Sequence, residues 1–422
     1  MNSKREDVVI KRSERDKKQL LSTKVIGLSV LFLILVMVIA AVASNISGIS
    51  VADIGSNKAD GALIYDSLPD SIRTLDTYST GTVMLTDTAV EYIDSTGKKL
   101  STNSHMYSQP VMKVNKSTVL LYDKGGTAFR LEKNSSIYNT YTTSSPITTA
   151  SIGARANYAY VLNDDGGYQS HLYVYSYQGE KQFEWGSASD YCITTALSDN
   201  GKSIAVAMLG VVSGEYESKV SLFNFKKSTA EYTVEFVDST VYRLEFINNK
   251  TVAALTDNGI FVINKDGSYE KVVDYSPTEL CHSFSAADGL KAVAVARHGN
   301  SKDSDVIVYN KRYEENFVSG YTSEIFGIVT SKNYVAVILG DNIQILNKEN
   351  EQIGNIVIGE KCLEAVFSGR TLYVRTVSGI YSFDVDSDID LTEIPEETTQ
   401  ETTETEYITT ESTADAGENS FG

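Results

Sequence analysis

Cysteine and proline are scarce in this sequence of 422 residues, with three and five copies. The cysteines have no paired spacing, which excludes a disulfide framework and a zinc site built on cysteine pairs. Basic residues are missing from residues 386–422, which hold 12 of the Asp and Glu residues, and the whole chain carries a net charge of −18. An acidic globular body argues against nucleic acid as a partner, since binding phosphates needs a basic face.

Motifs that carry catalysis are also missing. There is no G-x-S-x-G sequence, no phosphate-binding loop and no H-E-x-x-H sequence. The four histidines lie in separate repeats without i, i+4 pairing, and we expect them at the surface or at blade edges. We therefore predict no catalytic, cofactor-binding or metal site, and leave the binding residues open. The histidines are His105, His171, His282 and His298.

Two local patterns imitate binding loops. Alternating acids from Asp384 to Asp390, with Glu397 at position 12 counted from Asp386, suggest a calcium loop. Position 6 is Leu391 instead of the required Gly, so we interpret the segment as a solvated strand end. The glycine pairs at residues 125–126 and 166–167 lie between predicted strands, and we interpret them as hairpin turns with positive φ.

One long apolar segment is present near the N-terminus. Residues 25–52 contain no charged residue, which exceeds the length of about 20 residues needed to cross a bilayer. A cleavable signal peptide is the alternative, because residues 41–43 (Ala-Val-Ala) look like a cleavage site, but the apolar run is long for that. Residues 1–24 carry eight Lys and Arg against four acids, so we expect the N-terminus in the cytoplasm and the rest outside it.

Beyond residue 70, a short alternating strand that ends in a turn residue recurs eight times. Successive copies of this marker turn residue are 38, 44, 48, 40, 46, 37 and 37 residues apart, with a mean near 41. Four-stranded propeller blades have this spacing. The markers are Asp94, Glu132, Ser176, Asn224, Asn264, Asn310, Asn347 and Asp384.

A nearly continuous run of Val, Ala and Ile precedes most marker strands, as in residues 204–207, which predicts strands buried on both faces. The last unit, residues 362–384, has only three obvious strands. Closing a ring needs a fourth, and residues 62–66 are the candidate. We therefore predict an all-β fold, a β-propeller of eight blades, with seven blades as the alternative.

Some segments resemble known families. Residues 199–207 (Asp-Asn-Gly-Lys-Ser-Ile-Ala-Val-Ala) resemble the turn-plus-strand step of WD40-like propellers, and residues 94–98 and 177–185 resemble the strand–Gly turn–strand step of quinoprotein-like propellers. The layout of residues 60–386 most resembles an uncharacterised bacterial family of single-pass membrane propellers, domain of unknown function 5711. Trp185 is the only Trp, so the repeated Trp of the better-known families is missing and we expect no cofactor.

These observations predict five segments: a basic cytoplasmic head (1–24), a transmembrane helix (25–46), a linker (47–60), the propeller (61–386) and a disordered Thr/Glu-rich tail (387–422). We expect a binding or scaffold module at the outer side of the cell membrane, for an envelope protein, peptide or polymer, and not an enzyme. A transmembrane sensor, or a propeller enzyme acting on glycans, is the alternative; an enzyme should bring two or more acids together at one channel mouth.

Two residue types add detail to this prediction. Cys192, Cys281 and Cys362 each open the first strand of a unit, the fourth, sixth and eighth. Whole blades then separate them, whereas a disulfide needs Cα atoms within about 7 Å, so all three should be free thiols. Most of the 26 Tyr should pack between blades, and Tyr on the loops of one face could form a partner surface.

Overall fold

The computed structural model describes residues 61–69, 71–212, 214–237, 239–275, 280–286, 289–297, 300 and 302–385. These residues form 32 strands in eight antiparallel sheets of four strands each. This confirms the eight-bladed propeller over the seven-bladed alternative. The described part contains no helix of the length and hydropathy that a membrane span needs, and the predicted head, span, linker and tail all lie outside it.

The first four blades follow each other along the chain. Their strands are β2 (Ile72–Tyr78), β3 (Gly81–Thr86), β4 (Ala89–Ile93) and β5 (Lys99–Ser104) in blade 1; β6 (Pro110–Asn115), β7 (Thr118–Asp123), β8 (Ala128–Lys133) and β9 (Ser136–Thr142) in blade 2; β10 (Ile147–Ile152), β11 (Tyr158–Asp165), β12 (Tyr168–Tyr175) and β13 (Lys181–Ser187) in blade 3; and β14 (Tyr191–Leu197), β15 (Ser203–Val212), β16 (Glu215–Asn224) and β17 (Tyr232–Val237) in blade 4.

The remaining blades continue in the same way, except that the last takes a strand from the start of the chain. Their strands are β18 (Val241–Phe246), β19 (Val252–Thr256), β20 (Gly259–Ile263) and β21 (Tyr269–Asp274) in blade 5; β22 (Leu280–Ala286), β23 (Lys291–Ala296), β24 (Ser304–Tyr309) and β25 (Glu315–Tyr321) in blade 6; β26 (Gly327–Thr330), β27 (Tyr334–Ile338), β28 (Asn342–Asn347) and β29 (Gln352–Val357) in blade 7; and β30 (Glu364–Ser368), β31 (Thr371–Arg375), β32 (Ile380–Asp384) and β1 (Ala62–Tyr65) in blade 8.

The ring closes as the sequence predicted. β1 pairs antiparallel with β32, with Ala62 opposite Ser382 and Tyr65 opposite Ile380. The backbone of β1 also lies against blade 1, because a Cβ on Gly97 would stand 1.6 Å from the carbonyl oxygen of Ile64. Only glycine fits this approach, and its φ of 84° is one that glycine adopts at low cost.

Eight apolar clusters hold the ring together, one between each pair of neighbouring blades. The second strands contribute most, and all five residues of β19 and all six of β23 are buried. This agrees with the prediction from their continuous Val and Ala runs, because both faces of a blade pack against neighbours.

One marker was misread. Glu132 is a fully buried residue of β8 and not a turn residue. Its carboxylate accepts hydrogen bonds from Tyr92 Oη at 2.8 Å, Asn103 Nδ2 at 2.6 Å and Arg130 Nε at 2.6 Å. Burial and the nearby negative charge raise the pKa of Tyr92, which stays a neutral donor. This buried polar cluster joins blades 1 and 2.

Cys192 and Cys281 lie at the start of the first strands of blades 4 and 6, as predicted, but Cys362 lies in the loop before β30, two residues ahead of the first strand of blade 8. Cys192 and Cys362 are buried free thiols. Burial raises the pKa of each to about 12, so neither is a thiolate at neutral pH. Cys281 is the second residue of β22, and its side chain lies outside the described part. Two of the three predicted free thiols are thereby confirmed.

The two faces of the ring follow from the antiparallel blades. We call "top face" the surface formed by the loops between blades and the loops from second to third strands. The "bottom face" is formed by the loops from first to second and from third to fourth strands. β1 is the fourth strand of blade 8 and runs from bottom to top, while β32 is its third strand and runs from top to bottom. The chain therefore enters at Ala62 and leaves at Asp384 on the bottom face.

Candidate interaction face

Exposed apolar side chains concentrate on the top face. Of sixteen exposed large apolar residues, ten lie in top-face loops or at strand ends that reach this face. Six lie on outermost strands, and four of these, Leu63, Leu100, Ile137 and Tyr269, are among the first two residues of their strand, at its bottom-face end. No described bottom-face loop contributes one. The ten are Met106, Tyr168, Tyr191, Val211, Tyr216, Val237, Tyr242, Phe326, Leu363 and Val377.

The hairpin of β15 and β16 projects from this face. Each strand has ten residues, but β14 pairs with β15 only as far as Leu209, and β17 pairs with β16 only from Glu217. The cross-strand pair Val211 and Tyr216 therefore lies beyond the four-stranded part of the blade. Gly214 in the turn has a φ of 90°, as two-residue hairpin loops require.

We call the five exposed apolar residues around this hairpin the hairpin patch: Tyr191, Val211, Tyr216, Val237 and Tyr242. The strand register places Tyr191, Val211 and Tyr216 on the side of blade 4 that faces blade 5, and Val237 on its other side. Tyr216 is 74% exposed, Val237 71% and Val211 65%. The Val241 N–H donates to Ser218 Oγ at 3.2 Å, which holds the start of blade 5 against the base of the hairpin. Monomeric proteins seldom leave such a group of Tyr and Val side chains in water without a partner, and Tyr is enriched at protein interfaces.

Acidic groups surround the apolar ones. The described top-face loops hold eight acids and four cations. Beside the hairpin patch, Lys219 contacts Glu217 at 3.3 Å and Glu235 at 3.9 Å, so one cation faces two carboxylates. The acids of the loops are Asp66, Asp87, Asp190, Asp257, Asp303, Glu324, Asp341 and Glu360.

A smaller apolar group lies on blades 7 and 8. The Lys361 ammonium stands 4.9 Å from the ring centroid of Phe326, within cation–π range. Leu363 is exposed nearby in the same loop as Lys361. Hydrogen bonds donated by Ser378 lower the pKa of Glu360, which keeps this carboxylate ionised.

The two described histidine side chains are buried, which corrects the expectation of surface histidines. The His171 ring lies between two carboxylates, with Nδ1 2.9 Å from Asp165 Oδ2 and Nε2 3.0 Å from Glu184 Oε1. His105 packs beside Tyr107, and burial lowers its pKa. The carboxylates bind opposite edges of the His171 ring, so the three groups do not converge on one point. Among the described residues no group of His, Cys, Asp and Glu could hold a metal ion. The side chains of His282 and His298 lie outside them.

Charged side chains of the innermost strands face the central channel. Lys113 of blade 2 and Arg243 of blade 5 are accessible to solvent in the channel. The surrounding channel walls nevertheless remove part of their hydration, and this desolvation lowers the pKa of both. The charge of Arg243 lowers the pKa of Lys113 further, although two blades lie between them along the chain.

Burial raises the pKa of Asp76, and the negative charge of Glu364 raises it further. The Glu364 carboxylate is itself ion-paired with the Arg375 guanidinium at 3.1 Å. The negative charge of Glu364 thus reaches Asp76, although the Glu364 carboxylate itself binds Thr74 Oγ1 and Arg375.

Sequence reasoning found the turns but missed the hairpin patch. Gly125, Gly166 and Gly167 have positive φ, as predicted for hairpin turns, whereas Gly126 does not. The acidic segment from Asp386 onward, with the weighed calcium loop, lies outside the described residues. A signal for the hairpin was present: the interval of 48 residues between Ser176 and Asn224 is the longest of the seven. An insertion in a blade of fixed width has to project from one face.

Many solved structures match this chain. The chain is similar to Sqt1 from Saccharomyces cerevisiae, with a TM-score of 0.52, 11% identity and coverage of 77% of this chain and 99% of that one. It is also similar to the computationally designed Ika8 protein, with a TM-score of 0.54, 16% identity and coverage of 77% and 98%. At these identities the likeness shows the fold alone. No curated protein sequence matches.

A family model covers most of the propeller. The match extends over residues 66–382, from the loop after β1 to the middle of β32. It therefore includes blades 1 to 7 with the hairpin patch, and blade 8 without β1 and the end of β32. The chain belongs to the family of unknown function DUF5711.

Proposed function

We propose that this protein is a membrane-anchored, extracytoplasmic binding module that holds an envelope protein partner on its top face through the hairpin patch. The observation that carries the proposal is the concentration of exposed apolar side chains on one face, with Val211 and Tyr216 at the tip of a projecting hairpin. The anchor rests on the apolar segment 25–46, and its direction rests on the cations of residues 1–24.

The chemistry of the face indicates the kind of partner. Tyr and Val at the centre with acids at the rim complement a surface that has an apolar centre and Lys or Arg around it. Central aromatic residues dominate the affinity of most interfaces, whereas rim charges mainly set association rates. Tyr216 and Val211 should therefore contribute more to affinity than any acid of the top face.

The test is crosslinking of the tagged full-length chain in its native membrane, followed by identification of the captured proteins. The variant Val211→Ser with Tyr216→Ser is compared with Ile137→Ser with Val318→Ser, which removes exposed apolar residues from outermost strands. We expect a partner captured by the wild type and by the control but lost from the hairpin variant. With purified partner, Kd should rise at least about tenfold. Equal capture by both variants would contradict the assignment of the face.

A propeller enzyme acting on glycans is the second candidate, and the raised pKa of Asp76, to which the charge of Glu364 contributes, favours it. A carboxyl group with a raised pKa beside an ion-paired carboxylate is an arrangement that glycosidases use. If the protein is such an enzyme, turnover of a cell-wall glycan should be lost on Asp76→Asn and kept on Val211→Ser with Tyr216→Ser. If the protein is a binding module, no glycan turnover is expected from the wild type, from Asp76→Asn or from Val211→Ser with Tyr216→Ser.

A further inference from the structure

We infer that the bottom face rests on an anionic lipid surface, so that the top face points away from the membrane. This inference relies on the proposed anchor at residues 25–46. It is carried by a ring of cations on the bottom face and by the place where the chain enters the propeller.

The loops from first to second strands surround the channel mouth on the bottom face. They hold six cations and a single described acid, Asp199. All six cations are exposed. Five of them form no ion pair within the described residues, while Arg370 pairs with Asp384 at 2.9 Å. The six are Lys116, Arg155, Lys202, Lys250, Lys332 and Arg370, on blades 2, 3, 4, 5, 7 and 8.

Hydrogen bonds between blades fix these loops. The Ser79 N–H donates to the Lys116 carbonyl at 3.1 Å, and the Leu290 N–H donates to the Ser331 carbonyl at 3.2 Å. The Asn200 N–H donates to Asn249 Oδ1 at 3.0 Å, which joins the loops of blades 4 and 5. The backbone that carries the cations is therefore ordered before any ligand binds, and less entropy is lost on binding.

The chain path places this ring next to the membrane. β1 begins at Ala62 on the bottom face, and the predicted span ends at residue 46. A linker of 14 residues reaches at most about 50 Å when fully extended. The bottom face thus stays within reach of the lipid headgroups on which the anchor emerges, at a high effective concentration.

A lipid surface fits this ring better than a free polyanion does. The cations are spread around a ring instead of along a groove, which suits many separate headgroups in a plane. Clustered Lys and Arg near an anionic membrane are attracted within about one Debye length. The outer loops of the bottom face, from third to fourth strands, hold seven cations and seven acids among the described residues, so the excess of cations on this face belongs to the inner ring. The acids of the top face lie on the opposite side of the propeller, where screening weakens their effect on the contact.

The test uses the full-length chain in lipid nanodiscs, with a donor dye on one introduced cysteine and an acceptor dye in the lipid. Met106→Cys labels the top face and Asn333→Cys the bottom face, with the unsubstituted protein as the labelling background. We expect stronger energy transfer from the bottom label in nanodiscs containing phosphatidylglycerol. The difference should shrink in pure phosphatidylcholine.

Two matched variants locate the effect. Lys116→Glu, Lys202→Glu and Lys250→Glu change the bottom face, and Lys124→Glu, Lys302→Glu and Lys361→Glu change the top face by the same charge. We expect only the bottom variant to lose the preference for phosphatidylglycerol. Equal transfer from both labels, or no response to the bottom variant, would overturn the inference while the proposed anchor stands.

A chain that purifies without any membrane would instead refute the anchor. The inference is then tested by flotation with phosphatidylglycerol vesicles, where the wild type and the top variant should bind at least about tenfold better than the bottom variant. Binding to inorganic polyphosphate without binding to these vesicles would show that the ring serves a soluble polyanion, and would overturn the lipid assignment.

Discussion

The top and bottom faces are built from alternate loops of the same eight repeats, yet their chemistry is opposite. The top face carries exposed Tyr and Val side chains and an excess of acids in its loops. The inner loops of the bottom face carry a ring of cations, while its outer loops hold equal numbers of cations and acids among the described residues. None of the described loops of this face exposes a large apolar side chain. Loops that are neighbours along the chain fall on opposite faces, so the net charge of the whole chain describes neither face.

The two faces also differ in how firmly their loops are bonded to neighbouring strands and blades. Near the bottom face, neighbouring blades are joined by the buried cluster around Glu132 and by hydrogen bonds between loops. On the top face, the tip of the β15–β16 hairpin has no neighbouring strand. The difference indicates that substitutions near the bottom should cost stability, while substitutions at the hairpin tip should affect only binding.

The largest expected effect is on the bottom side. Glu132→Ala should lower the free energy of unfolding by about 3–5 kcal/mol, because it leaves the buried Arg130 without its carboxylate partner. Urea unfolding followed by fluorescence measures this change. The hairpin control, Tyr216→Ser, should change stability by no more than about 0.5 kcal/mol. A similar loss of unfolding free energy in both variants would show that the two faces do not differ in their contribution to stability.

An intermediate, pH-dependent effect is expected at the top end of blade 3. Burial tends to raise the pKa of Asp165, but hydrogen bonds from Ser144, Tyr173 and His171 outweigh it and leave the pKa lowered. A lowered pKa in the folded state stabilises the protein above the unfolded pKa of about 3.9, and this contribution is lost as the pH falls through the folded pKa. Asp165→Asn should therefore lower Tm at pH 7, and the gap to the wild type should narrow below about pH 4.

Asp76 serves as a control of opposite sign. Burial raises the pKa of this channel carboxyl, so its ionised form destabilises the folded state at neutral pH. Asp76→Asn should raise Tm at pH 7, and this advantage should vanish below about pH 4. If the difference in Tm between Asp165→Asn and the wild type does not change with pH, the ionisation of Asp165 does not contribute to stability.

The smallest effect concerns access from the top face. Cys192 and Cys362 lie near the top ends of innermost strands, yet both are buried and their pKa is raised to about 12. Iodoacetamide should leave both thiols unmodified in the native protein and modify them after denaturation. Mass spectrometry of the alkylated peptides measures this. Modification of either thiol in the native state would show that the top face opens.

The sequence predicted the ring well because the ring is periodic. The marker spacing, the Val and Ala runs and the closing strand all repeat or complete a repeat, and all are confirmed. Glu132 was misread because a buried carboxylate looks like a polar turn residue until its partners Tyr92 and Asn103 are known, and both lie in another blade. The hairpin patch was missed because exposure depends on where β14 and β17 stop pairing.

The segregation of charge was missed for a different reason. Lys116, Lys202 and Lys250 each precede a second strand, which is visible in the sequence, but their common face follows only from strand direction. An acidic total charge argued against a basic face of any kind. The net charge of the whole chain therefore hides the difference in charge between the top and bottom faces.

The closure of blade 8 also has a consequence for the order of folding. β1 is the first strand of the propeller to be made and β32 is the last, so the contact between them joins residues separated by almost the whole domain. Loop closure over such a length is slow, and β1 stays without its partner until synthesis reaches residue 380. During synthesis the growing chain therefore presents an open series of blades with an unpaired edge at each end, the state in which aggregation is most probable.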